Sequence, residues 1–257
     1  MTSQTTSERP VTIGVICMDT SFTKIPGHIR NTSTFGFPVI YQVVTGATAQ
    51  RVVHRQADQA LLKPFIRAAQ DLQARGAAAI TSACGFLVVF QQDLAAAVDV
   101  PLYASSLIQL PMVHRMIRPD QKVGLLVADK QALTRRHLAA IGGQSVPVCV
   151  AGMAGQPEFR EVMLEARRDD LDPARLESEV LSEAGQLARR NPDMGALVIE
   201  CTDLVPFAHA VQARVDVPVF DIVTLTEMVH GSLTRRPFDA APAAGRPSNA
   251  RDAMGGD

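Results

Sequence analysis

Short unbroken apolar runs alternate along the chain with longer stretches whose apolar positions recur every three or four residues. The runs fall at 11–16, 38–44, 78–81, 101–105, 122–127, 146–150, 196–199 and 218–222. A strand with one face in water alternates apolar and polar residues, whereas an unbroken run suits a strand covered on both faces. Between the runs, helical periodicity marks 52–74, 130–141 and 173–190. Asp129 precedes the second of these and Gly142-Gly143 follows it, both good cap residues, and Pro173 suits the first turn of the third. Such alternation predicts an α/β fold with parallel sheets flanked by helices. The ends, 1–9 and 237–257, have no period. The C-terminal one is rich in Pro, Gly and Ala, and disorder is expected for both.

Two segments of this pattern match each other. The first, "GAAAITSACGFLVVFQQDLAAAVDVPLYASSLIQL", starts at Gly76, and the second, "GALVIECTDLVPFAHAVQARVDVPVFDIVTLTEMV", starts at Gly195. Cys84 and Cys201 each end an apolar run, and each lies fifteen residues before the Asp of an Asp-Val-Pro tripeptide that opens another run. A shared tripeptide at a shared offset from a strand-end thiol is the signature of an internal repeat. It predicts two pseudo-symmetric lobes, each a short, mainly parallel sheet flanked by helices. Ligands of open α/β sheets bind beyond the carboxyl ends of the strands, so the site is expected in the cleft between the lobes, with one thiol on each side. The expected first lobe is 1–110 plus 223–257, and the second is 111–222. The chain crosses near 105–118 and returns near 221–226.

The corner residues suggest a chemistry. A thiol just before a helix start feels its N–H groups and dipole, which should lower its pKa from about 8.5 towards neutrality. The N–H groups of Gly85, Phe86 and Thr202 are candidate donors to an anionic transition state. Asp203 is read either as a helix N-cap or as an acid–base partner that needs a compensating cation. Asp19, after the first run, is read as a substrate-amine ligand or a self-capping loop residue. Cys17 should border the cleft without a direct role, and Cys149 should be core. His28 and Arg30 fall in the loop after the first run and are read either as lid residues meeting a carboxylate or, as is commoner for such residues, as simply solvated.

Composition narrows the class. A formal charge of −1 leaves no basic excess for nucleic acid, and no apolar run approaches the length of a membrane span. The polar start "MTSQTTSERP" lacks a signal-peptide core, so a cytoplasmic protein is expected. The four cysteines form no C-x-x-C pair, and the six histidines show no zinc-type spacing. No dinucleotide fingerprint, P-loop or G-x-S-x-G motif occurs, so neither metal nor cofactor is expected.

The two cysteine corners within paired lobes resemble the aspartate/glutamate racemase superfamily. Its glutamate racemases carry Cys-Asn-Thr at the first corner and Cys-Thr-His at the second. Here the matching residues are Cys84-Gly85-Phe86 and Cys201-Thr202-Asp203. Asp19-Thr20 stands where the family has Asp-Ser. The stretches "CGFLVVFQ", "SSLIQLP" and "IPGHIRNTSTFGFPVIYQVVTGAT" resemble a branch related to hydantoin racemases, arylmalonate decarboxylases and algal dimethylsulfoniopropionate lyases. The resemblance implies Cys84 and Cys201 as the catalytic pair, with Asp19, Gly85, Phe86, Thr202 and Asp203 around a small carboxylate substrate. It also implies a homodimer, as family members often form. The first expectation for function is a cofactor-independent racemase or epimerase working by two-cysteine proton transfer. A lyase or decarboxylase using one cysteine as acid/base is the second, and a non-catalytic carboxylate-binding protein the third.

Overall fold

Two four-stranded parallel sheets carry the chain, as a computed structural model describes it for residues 10–235. The strands are β1 (Thr12–Met18), β2 (Val39–Val44), β3 (Ala77–Ser82), β4 (Leu102–Tyr103), β5 (Lys122–Val127), β6 (Val148–Gly152), β7 (Met194–Ile199) and β8 (Val219–Phe220). The sheet orders are β2-β1-β3-β4 and β6-β5-β7-β8, which is one topology used twice. Even the irregularities repeat: the register shifts between Thr12 and Ile13 where β1 meets β3, and between Lys122 and Val123 where β5 meets β7. The expected disorder at 1–9 and 237–257 lies outside the described residues.

The central strands are the unbroken apolar runs, buried on both faces; Ile13, Val15, Val123, Leu125 and Val198 are all inaccessible. Helix Leu62–Ala74 buries Phe65, Ala68, Ala69 and Leu72 on one face, and Gly14 of β1 lets it approach. A Cβ at Gly14 would lie 3.1 Å from that of Leu72. Helix Pro173–Arg190 matches its predicted span. Asp172 caps it by accepting from the N–H groups of Ala174 and Arg175, and Leu176, Val180, Ala184 and Leu187 form the buried stripe. Each large side chain of such a stripe contributes about 1.5–3 kcal/mol.

Two expected helices are shorter than their periodicity. The 52–74 stretch is broken: a helical turn, Ala49–Val52, precedes a bend, and the long helix starts only at Leu62. In the 130–141 stretch only Arg135–Ala139 is α-helical, capped by Thr134. Asp129 instead closes the turn before it by accepting from the N–H of Gln131. Gly142, with φ +68°, ends that segment as expected. Helix Ile222–Leu233 packs back against β3, so the C-terminal end of the described chain returns to the first sheet. No helix among the described residues is long and apolar enough to cross a membrane.

The repeat holds residue by residue when aligned on the cysteines. β3 and β7 each end two residues before the thiol, each thiol opens a six-residue 3₁₀ segment, Gly85–Phe90 or Thr202–Phe207, and β4 and β8 fall in matching places. The sheets meet at these corners. Thr202 Oγ1 donates to the Ala83 carbonyl at 2.9 Å, and Ser106 Oγ donates to the Ile199 carbonyl at 2.7 Å. Each bond ties the strand end of one sheet to a segment following the other, so both corners close on one space.

Candidate functional site

Cys84, Gly85, Phe86, Cys201, Thr202 and Asp203 all line a single internal cavity between the sheets. Glu200 belongs to the same wall, and Met18, Phe159, Met163 and Leu164 complete it with aliphatic, aromatic and thioether surface. No Lys, Arg or His is among the described lining residues. The free volume is about 20 Å³, room for one water and no more.

Both thiols depart from the expected lowering. Burial pushes Cys84 and Cys201 well above the ordinary thiol range, and the carboxyl groups of Glu200 and Asp203 push in the same direction. The 3₁₀ segments are too short to offer a helix dipole, and desolvation outweighs the few N–H groups present. Each thiol has one of those N–H groups beside it. The Phe86 N–H lies at the Cys84 thiol, so it is not free for a substrate anion, and the Asp203 N–H lies at the Cys201 thiol, while the Leu87 N–H donates to the Cys84 carbonyl at 3.1 Å. Cys201 also makes a long S–H contact, 3.8 Å, with Asp203 Oδ2. Because the carboxylate at the Cys201 S–H favours its protonated form, the thiolate is easier to form at Cys84.

Asp203 is not a helix cap; Cys201 occupies that position. Its Oδ1 lies 2.9 Å from Nε2 of His28, on the loop after β1. His28 Nδ1 accepts the N–H of Arg30 at 2.9 Å, so the neutral ring keeps its proton on Nε2 and donates it to Asp203. The loop is consequently packed behind Asp203 rather than a lid reaching for substrate: His28 is 2% exposed, and Arg30 Nη1 is spent on the Met18 carbonyl and Thr20 Oγ1. The compensating cation that Asp203 calls for is Lys24. Burial lowers its ammonium to about 8 while Asp203 pulls the other way, and it sits over the Phe22 ring at 3.0 Å.

Asp19 is not brought to the thiols. It is exposed, and its Oδ2 accepts the N–H of Gly46, fixing the turn after β2. It lines a separate surface depression of about 260 Å³, divided from the inner cavity by Ala49 and Met163, which line both. Cys17 is buried within β1 with its sulfur on the Val15 carbonyl at 3.4 Å, outside the cavity lining; burial pushes it up to about 11. Cys149 is buried in β6.

Glu200 escaped the reading of the sequence. It is 1% exposed; Oε2 accepts the N–H of Ala128 at 3.2 Å, while Oε1 packs against Gly85. The available signal was a charged residue closing the apolar run "LVIEC", a position where a strand covered on both faces has no water to offer.

Burial also depresses the pKa of His28, against the pull of Asp203. As pH falls below the ordinary 6.5 of histidine, the unfolded chain takes up a proton that the native ring refuses, so stability is lost on that side. His137, lowered by burial to about 4, acts in the same direction. In urea titrations from pH 7.5 to pH 5, His28→Gln should therefore flatten the wild-type decline in part. An unchanged slope contradicts this assignment.

This fold, with two corners closing on one cavity, is the one found in arylmalonate decarboxylase and in glutamate and allantoin racemases. The chain matches unliganded arylmalonate decarboxylase with a TM-score of 0.56 at 16% identity, covering 92% of this chain and 97% of that one. It matches allantoin racemase from Klebsiella pneumoniae at 0.58 and 14%, over 87% of each chain. It matches glutamate racemase from Aquifex pyrophilus at 0.54 and 13%, over 88% and 84%. Among proteins similar in sequence are a dimethylsulfoniopropionate lyase from Durusdinium sp. clade D and two from Emiliania huxleyi. The first is 28% identical over 82% of this chain and 71% of its own length. Lyase 7 is 30% identical over 82% and 64%, and lyase 3 is 27% identical over 88% and 60%. The chain thus spans less than two thirds of the Emiliania proteins. No family model matches it.

Proposed function

We propose that this chain is a lyase that eliminates a dialkyl sulfide from a β-sulfonio carboxylate, with dimethylsulfoniopropionate as the substrate to test. The observation that carries this reading is the cavity wall: two thiols converge there with Asp203, Phe86 and Phe159, and no basic side chain among the described residues lines it. A carboxylate with aromatic and thioether surface suits an onium cation. Its sequence relatives carry the same activity in their names. Cys84 as thiolate removes the proton α to the carboxylate. The C–H electron pair forms the C=C bond, the β C–S bond breaks, and its pair leaves on sulfur as neutral dimethyl sulfide. Acrylate remains, and Cys84 returns the proton to solvent.

The test is dimethyl sulfide release into headspace, with acrylate appearing in equal amount. Wild-type protein that leaves dimethylsulfoniopropionate intact sinks the proposal. Racemisation is the second reading, favoured by the doubled corners, which set one thiol on each side of the cavity. It returns the mirror image at constant mass, so chiral separation of amino acids and hydantoins in deuterated buffer separates the two.

Because the inner cavity holds about one water, substrate entry needs the Met163 wall to yield towards the surface depression. Met163→Trp should cut kcat/KM at least about tenfold through slower entry, measured well below the thermal midpoint of the variant because the larger ring also overpacks a buried position. Unchanged kcat/KM would exclude this entry route.

A further inference from the structure

The proposed elimination leaves one demand unmet: the substrate carboxylate gains charge as its α-proton departs, and among the described residues no cation lines the cavity to receive it. We propose that Glu200, as a neutral carboxylic acid, is a catalytic residue that donates a hydrogen bond from Oε1 to the substrate carboxylate. This assignment rests on the lyase reading for its substrate.

Geometry selects the donor atom. Oε2 is occupied by the N–H of Ala128, so the proton of the neutral acid resides on Oε1. Among the described residues nothing donates to Oε1, which lies at Gly85 on the cavity wall. The absence of a side chain at position 85 is what leaves that oxygen room: a Cβ there would lie 2.5 Å from the Glu200 carbonyl and closer still to Oε1.

Every ionisable group facing Glu200 works against its charge. Asp203, Cys84 and Cys201 are acids; Phe159, Met163 and Leu164 on one wall, and Ala49 and Val53 on another, bring none. Lys24 and Arg30 lie behind Asp203, outside the lining. Burial pushes the Glu200 carboxyl up to about 8, with Asp203 adding to the rise and the Ala128 N–H opposing it. A buried acid kept neutral at neutral pH can donate to an anion, and the hydrogen bond strengthens as an enediolate forms. The two carboxyl residues thereby divide a zwitterion: Asp203 faces the cationic end and Glu200 the carboxylate.

Glu200→Gln supplies the test, because the amide can accept from Ala128 and still donate into the cavity, yet cannot ionise. The expected loss in kcat/KM at pH 7 is about tenfold for Glu200→Gln and about 10²–10³-fold for Glu200→Leu. Above about pH 8 wild-type Glu200 ionises and repels the substrate, so the Gln-to-wild-type ratio of kcat/KM should climb about tenfold per pH unit. A purely structural Glu200 would leave that ratio flat from pH 6 to pH 10, and a flat ratio overturns the proposal even if Glu200→Leu does not fold. Calorimetric titration with acrylate, a bare carboxylate, separates this inference from the lyase reading. Acrylate affinity should fall above pH 8 in wild type and hold in Glu200→Gln. If no dimethyl sulfide is released, the lyase reading fails, and the acrylate titration alone decides the role of Glu200. Wild-type acrylate affinity that is absent, or independent of pH, overturns it.

Discussion

Cys84→Ala should abolish dimethyl sulfide release, lowering kcat/KM by about 10³–10⁴-fold, as loss of a general base does. Cys201→Ala should lose less, about 10–100-fold. The difference follows from what surrounds each sulfur. Each sulfur has one backbone N–H beside it, that of Phe86 at Cys84 and that of Asp203 at Cys201, so the difference lies in the carboxyl groups. Cys201 has its S–H in a long contact, 3.8 Å, with Asp203 Oδ2, and Asp203 is the strongest charge raising it, whereas at Cys84 that charge is Glu200. A single-base elimination uses this asymmetry, whereas racemisation needs two thiols that exchange roles. Because burial holds the Cys84 thiol high, wild-type kcat/KM should also rise with pH from neutrality until Glu200 ionises. Headspace assays of both variants at several pH values give the answer. Equal losses in the two would point to two-thiol exchange, and more than a tenth of wild-type activity in Cys84→Ala would remove it as the base.

Gly85→Ala should be strongly destabilising for so small a substitution. The new Cβ meets the backbone carbonyl of Glu200 at 2.5 Å, and backbone cannot rotate aside as a side chain can. Either β7 or the Cys84 corner must move. The expected cost is about 3 kcal/mol, the upper end for overpacking a filled interior, or roughly 6–12 °C in thermal midpoint. Gly155→Ala is the control: a Cβ there has nothing within 4 Å, so the midpoint should stay within about 2 °C. If Gly85→Ala melts with wild type, the two corners are less tightly packed than described. Activity should fall with stability, since the same shift displaces the Cys84 sulfur and Glu200 Oε1 together.

Helix extents depended on more than periodicity. The apolar spacing over 52–74 continues through a bend because residues 49–53 pack against the cavity while Leu62–Ala74 packs against the sheet. A periodic pattern reports that one face is buried, without saying against what. His28 shows the same limit. Its loop was legible as a loop, but its pairing with Asp203 joins residues 175 positions apart, and nothing local announces it.

What the amino-acid order determined by itself was the doubled plan: unbroken runs that must be covered on both faces, cap residues around Pro173–Arg190, and two thiols in equal phase with two Asp-Val-Pro turns. These are properties of neighbours in the chain, set by backbone geometry and the exclusion of apolar side chains from water. Only the tertiary structure decided the electrostatics. Whether a strand-end thiol is lowered or raised, and whether Glu200 is a charge or a neutral acid, depends on how much water the opposing sheet removes. That desolvation arises where the Cys84 and Cys201 corners close on each other, because the penalty on a charge is set by everything packed around it.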